Sequence, residues 1–163
     1  GSGKTVAFGL AMASEVLPGG RGGPPRALAV APTRELALQV REELGWLYAG
    51  AGLRVIALVG GTDMRGDRRA LAVGAEIVVG TPGRLRDHLE RGALDLSALQ
   101  AVVLDEADEM LDMGFRDELE AILEAAPEER RTLLFSATVP REIEALAKSY
   151  QRDALRIAAT SEG

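Results

Sequence analysis

Apolar residues fall in short, dense runs along this chain: RALAVA (26–31), RVIALVG (54–60), EIVVG (76–80), AVVLDE (101–106), RTLLFSA (131–137) and ALRIA (154–158). Within them apolar positions follow one another without alternation, the pattern of strands covered on both faces. The intervening segments have a longer period. TRELALQVREELGWLYAG (33–50) places apolar residues at 36, 40, 44 and 47 and ends at Gly50, which predicts an amphipathic helix over the whole stretch. PREIEALAKSY (140–150) opens on a proline suited to a first helical turn. Strand and helix in alternation predict an α/β domain, a mostly parallel sheet with helices on both faces. Right-handed crossovers then gather the strands' C-terminal ends on one edge, where open α/β sheets bind ligands. PGGRGGPP (18–25) lacks the strand and helix that would frame a dinucleotide fingerprint and reads as a surface connection.

Composition narrows the class. A chain of 163 residues, 47% hydrophobic and 27% charged, fits one globular domain over 1–163. With no cysteine and one histidine, it offers neither a disulfide framework nor a His-rich or Cys-ligated metal centre. No apolar run approaches the ~18 residues of a membrane span, and no signal peptide is recognisable, so a cytoplasmic protein without membrane contact is expected. The net charge of −6 counts against nucleic acid as a partner on its face, but binding depends on one surface and not on the sum.

Two stretches carry chemistry. GSGKT, residues Gly1, Ser2, Gly3, Lys4 and Thr5, matches the tail of the phosphate loop G-x-x-x-x-G-K-[ST]. Glycines let backbone N–H groups curl around phosphate oxygens, Lys4 supplies charge to the β/γ-phosphates, and the Thr5 hydroxyl can ligate Mg²⁺. Such a loop leaves the end of a strand, so the strand is expected upstream of Gly1. The bland alternative is a Gly-Ser linker. VVLDEAD (102–108) ends an apolar strand in acid: Asp105 would hold Mg²⁺ through water, and Glu106 would orient or deprotonate the attacking water. Here the alternative is a solvated acidic turn.

DEAD at 105–108 resembles the signature of the DEAD-box ATP-dependent RNA helicases of superfamily 2. Four more stretches resemble that family's motifs in order: PTRELA (32–37), the pair Gly60-Gly61, TPGRL (81–85), and SAT, which is Ser136, Ala137 and Thr138. The resemblance implies a RecA-like P-loop NTPase fold, with this chain as the N-terminal helicase core domain. It implies ATP and Mg²⁺ as cofactors, with Lys4, Asp105 and Glu106 catalytic. RNA would meet Pro32, Thr33, Arg34, Gly60, Gly61, Thr81, Pro82, Gly83 and Arg84, mostly through its backbone. Asp108, Ser136, Ala137 and Thr138 would couple nucleotide state to RNA. The implied partners are RNA and a second RecA-like domain of the same chain, which brings an arginine finger. The adenine-reading Q motif would lie upstream of Gly1. The expected activity is RNA unwinding or remodelling coupled to ATP hydrolysis. The alternatives are an ATP-dependent RNA clamp that does not unwind and a DNA-directed superfamily 2 translocase.

Local physics adds expectations of its own. Thr33 and Thr81 are suited to cap helices, with Pro82 in the first turn and Arg84 near the loop. Ser136 and Thr138 are within reach of hydrogen bonds to Asp108. His88, in LRDHLERG, reads as a surface helix residue, Trp46 and Tyr48 as core or rim, Phe115 as packing between helices, and PEERR (127–131) as a solvated loop.

Overall fold

The structure, a computed structural model, describes Gly9, residues 23–136, Thr138, Arg141, Ala145 and the strand Asp153–Ile157. Six parallel strands form one sheet: β1 (Ala27–Val30), β2 (Val55–Leu58), β3 (Ile77–Gly80), β4 (Ala101–Asp105), β5 (Arg131–Phe135) and β6 (Asp153–Ile157), in the order β2-β3-β1-β4-β5-β6. Each falls within a residue of an apolar run, because a strand without polar alternation is stable only with both faces covered.

Five described helices cover it: α1 (Arg34–Leu47), α2 (Met64–Val73), α3 (Pro82–Glu90), α4 (Ala107–Asp112) and α5 (Arg116–Ala125). Neighbouring strand residues feed opposite faces. Leu28, Val30, Val78, Val102 and Leu104 join one buried cluster with Leu85, Met110, Leu119 and Ile122 from α3, α4 and α5. Ala27, Ala29, Ile77, Val79, Ala101 and Val103 join the other, with Ala37, Val40 and Leu44 of α1. The right-handed crossover rule accounts for the division. The chain steps outward from β1 to β2, so α1 lies on one face. It then returns through β3 and passes β1 to β4 and β5, so the later helices lie on the other. The edge therefore opens on either side of the β1 loop, at the topological switch points of the sheet.

One helix differs from expectation. The stretch 33–50 is not helical to Gly50. α1 stops at Leu47, where Tyr48 caps it, and Ala49–Ala51 form a 3-10 turn closed by Gly52 at φ 70°. Gly52 adopts the left-handed conformation that ends helices and Gly50 does not. The Tyr48 hydroxyl donates to the Gly9 carbonyl, which explains its burial. Trp46, by contrast, is 76% exposed. Of the helix expected over 140–150 only Arg141 and Ala145 are among the described residues, both helical, and most of the 18–25 connection lies outside them.

Candidate functional site

Register brings the sequence motifs together. Leu58 pairs with Gly80, Val30 with both Gly80 and Leu104, and Asp105 with Phe135. The loops beyond these residues therefore line one edge in spatial order: Gly60-Gly61, then Thr81–Arg84, then Pro32–Arg34, then Asp105-Glu106, then Ser136 and Thr138. In one half of this edge the loop after β4 brings the adjacent acids Asp105 and Glu106; in the other, the loops after β2, β3 and β1 bring glycine-rich turns and arginine, with Glu35 and Asp63 close by.

In the acidic half, Asp105 is buried at the end of β4. Glu106 follows at φ 53°, ψ 52°, the only non-glycine residue with positive φ among those described. A left-handed glutamate costs about 1–3 kcal/mol and persists only where its surroundings enforce it, which marks it as a functional candidate. Asp108 Oδ2 accepts from the Thr138 amide at 3.1 Å and its hydroxyl at 2.9 Å. The Asp108 amide donates to Ser136 Oγ at 3.2 Å, and the Ser136 hydroxyl donates to the Thr138 carbonyl. The expected link between SAT and DEAD is thus made by both end residues. Burial pushes the Asp108 pKa up, but hydrogen bonds with Thr138, Ser136 and Glu109 together outweigh it and hold the carboxyl below its ordinary value. Gly1 to Thr5 and Ala137 lie outside the described residues.

Magnesium suits this donor set. The ion takes one or two carboxylates and fills its remaining positions with water and phosphate oxygens. Asp105 offers a hard oxygen donor, and no cluster of three or more metal-ligating side chains occurs among the described residues.

In the other half, Thr33 caps α1 as expected, its hydroxyl accepting from the Leu36 amide at 3.2 Å. Arg34 is exposed. Its guanidinium lies over Gly61, where a Cβ would come within 2.9 Å of Nη1. Gly61 has φ +84°, a conformation that calls for glycine, whereas the flexible end of Arg34 could shift to admit a Cβ. Thr81 departs from expectation. It occupies the N-cap position of α3, but its hydroxyl makes no cap bond; its amide instead continues the sheet by donating to the Leu58 carbonyl at 3.2 Å. Pro82 accounts for the tolerance, since it presets φ and removes one orphan donor from the first turn.

Arg84 does not reach outward. Its Nε donates to Asp67 Oδ2 at 2.9 Å, and its Nη2 donates to the Thr62 carbonyl and, at 3.2 Å, to the Thr62 hydroxyl. His88 is not a surface residue but is fully buried, with Nε2 2.9 Å from the same Asp67 oxygen. A buried carboxylate needs donors on it, and α3 supplies two, a turn apart. Arg130 is likewise buried where a solvated loop was expected; burial lowers its pKa, and its Nη1 donates to the Pro127 carbonyl at 2.8 Å. Phe115 packs against the cluster shared by α3, α4 and α5, as expected.

A family model for DEAD/DEAH box helicases matches residues 1–146. The chain belongs to that family. Among DEAD/DEAH box relatives, it is 48% identical over 153 residues to the DEAD-box ATP-dependent RNA helicase CshA of Geobacillus kaustophilus, covering 94% of this chain and 32% of that protein. It is 48% identical over 155 residues to the ATP-dependent RNA helicase DeaD of Haemophilus influenzae, covering 94% of this chain and 25% of that one. The crystal structure of a hypothetical ATP-dependent RNA helicase from Sulfolobus tokodaii superposes with a TM-score of 0.84 at 36% identity, over 98% of this chain and 45% of that one. The chain thus spans a quarter to a third of these two curated relatives. Its fold is the RecA-like helicase domain.

Against the DEAD/DEAH box motifs, the side chains that the sequence did not reveal are Thr62, Asp67 and His88. No periodicity could mark them, because their partners are 17 to 22 residues away. Their only sequence signal was a lone histidine four residues after a motif arginine.

Proposed function

We propose that this chain is the ATP- and RNA-binding N-terminal core of an ATP-dependent RNA helicase, which couples hydrolysis to separating or remodelling RNA duplexes. The observation that carries this reading is the division of one sheet edge. The adjacent acids Asp105 and left-handed Glu106 lie directly beside a half built from glycine-rich turns and arginine, across the β1–β4 pair. The relatives' names favour RNA over DNA.

Each residue has a role in this reading. Lys4 and the N–H groups of Gly1 to Gly3 bind the β/γ-phosphates, and Thr5 and Asp105 hold magnesium. The bound ion would neutralise charge developing on the phosphates. Glu106 orients the attacking water and accepts its proton. Thr33, Arg34, Gly60, Gly61, Thr81 and Gly83 form the surface for an RNA backbone, with contacts that position the strand and read little sequence, while the buried Pro32 and Pro82 and the inward-held Arg84 shape the loops behind it. Asp108, held to Ser136 and Thr138, ties the acidic loop to the end of β5. A second RecA-like domain completes the site. The protein works in the cytoplasm on this reading; among the described residues, no helix is long and apolar enough to cross a membrane.

The test uses the full-length protein and an RNA duplex with a single-stranded tail. Strand separation that needs ATP is expected. ATP-dependent binding without separation would instead make the protein a clamp, and RNA binding indifferent to ATP would overturn the reading.

A further inference from the structure

We propose that Asp67 and His88 are positioning residues for the RNA-facing edge: through Arg84 they fix the Gly60–Thr62 loop. This rests on the reading of that edge as an RNA surface. Asp67 is 7% exposed and His88 0%. A carboxylate oxygen only accepts, so the hydrogen between them sits on His88 Nε2. Arg84 and His88 are four residues apart on α3 and converge on one oxygen of Asp67, which comes from α2.

The guanidinium is planar. Once Asp67 holds Nε, the direction of Nη2 is fixed, and it meets the Thr62 carbonyl and hydroxyl. The Thr62 hydroxyl in turn donates to the Val59 carbonyl at 2.8 Å, closing the turn around Gly60 and Gly61. Gly61 then lies against Arg34. One connected path therefore runs from His88 through Asp67, Arg84 and Thr62 to Gly61 and Arg34. It joins the loops after β3, β2 and β1, the three that face RNA.

Burying an arginine, an aspartate and a histidine is weak evidence for stability, since apolar residues of similar volume often do as well. What the polar cluster gives is direction. Arg84, only 12% exposed at its side chain, holds a loop instead of reaching for phosphate.

RNA-stimulated ATP hydrolysis by the full-length protein, measured against RNA concentration, tests this with three variants. Asp67→Asn removes the charge. His88→Met removes the donor. His88→Gln keeps an N–H near the Nε2 position. Asp67→Asn and His88→Met should raise the RNA concentration for half-stimulation about tenfold. The rate at saturating RNA should stay within about twofold of wild type. His88→Gln should recover most of the loss. Hydrogen exchange should quicken in a peptide covering 59–63 while β3 and β4 keep their protection. If Asp67→Asn does not fold, the His88→Met and His88→Gln pair decides.

Wild-type half-stimulation and wild-type exchange at 59–63 in a folded variant would overturn the proposal. So would protection lost across the whole sheet together with a lower saturating rate, which would make the cluster merely structural. If wild-type hydrolysis does not respond to RNA at all, the helicase reading fails and this inference with it. RNA stimulation in the wild type with unchanged variants sinks the positioning role alone.

Discussion

Glu106 is held where glutamate is disfavoured, directly after the buried Asp105, while the chain continues as a helix. Replacing it with Gln keeps the shape and removes the proton acceptor. In the full-length protein, Glu106→Gln should lower the rate of RNA-stimulated hydrolysis by about 10²-fold or more while ATP-dependent RNA binding survives. A rate near wild type would show that another group activates the water. Asp108 makes a prediction in pH. Its folded pKa is depressed, so its hydrogen bonds stabilise the fold fully above the ordinary aspartate value of about 3.9, and that contribution is lost as pH falls through the lower folded value. The melting-temperature gap between wild type and Asp108→Asn should be widest near neutral pH and narrow below about pH 4. A gap that does not change with pH would mean that the carboxylate's charge is not what SAT binds. The DEAD acids and their SAT partners were legible in the sequence because the two stretches directly follow the apolar runs that form β4 and β5. The strain at Glu106 was not, since a backbone angle leaves no mark on composition.

Elements were readable where burial is symmetrical. Every strand lay within a residue of an apolar run, and α1 followed its spacing of three and four. Its end was misplaced because Gly50 and Gly52 look alike in sequence and only one takes the left-handed angle. Gly80, the last residue of β3, is a position where the element tolerates no side chain. A Cβ there would come within 2.7 Å of the Leu58 carbonyl and 2.6 Å of Leu85. Gly80→Ala should cost about 2 kcal/mol in denaturant unfolding, because backbone must move to admit the methyl. Unchanged stability would mean that the β2–β3 edge is looser than described. Thr33→Ala removes a cap bond at the start of α1 and should cost about 1 kcal/mol in the same assay. The analogous Thr81→Ala should cost less, since Thr81 makes no cap bond. The ion-paired cluster of α2 and α3 was illegible, because it depends on which helices the crossovers bring side by side.

On the proposed reading, a molecule with net charge −6 can still present an RNA surface, because binding depends on the local placement of donors and arginine and not on the sum of charges. Arg34 is the exposed arginine at the centre of that surface, and if it meets one phosphate, Arg34→Ala should flatten the dependence of log affinity on log salt by about 0.7 for single-stranded RNA. A loss confined to particular sequences would instead mean that Arg34 reads bases. Because the chain spans only a quarter to a third of the two curated relatives compared, catalysis is expected to need parts beyond these residues. An arginine finger in a second domain alone is worth about 10³–10⁵ in rate in enzymes of this kind. Residues 1–163 by themselves should hydrolyse ATP very slowly. The measurement that bears most directly on the whole account is phosphate release by the full-length protein, with no nucleic acid, with single-stranded RNA, and with DNA of the same sequence. The account predicts strong stimulation by RNA, little by DNA, and none in Glu106→Gln. Hydrolysis that ignores RNA, or answers equally to DNA, would contradict it.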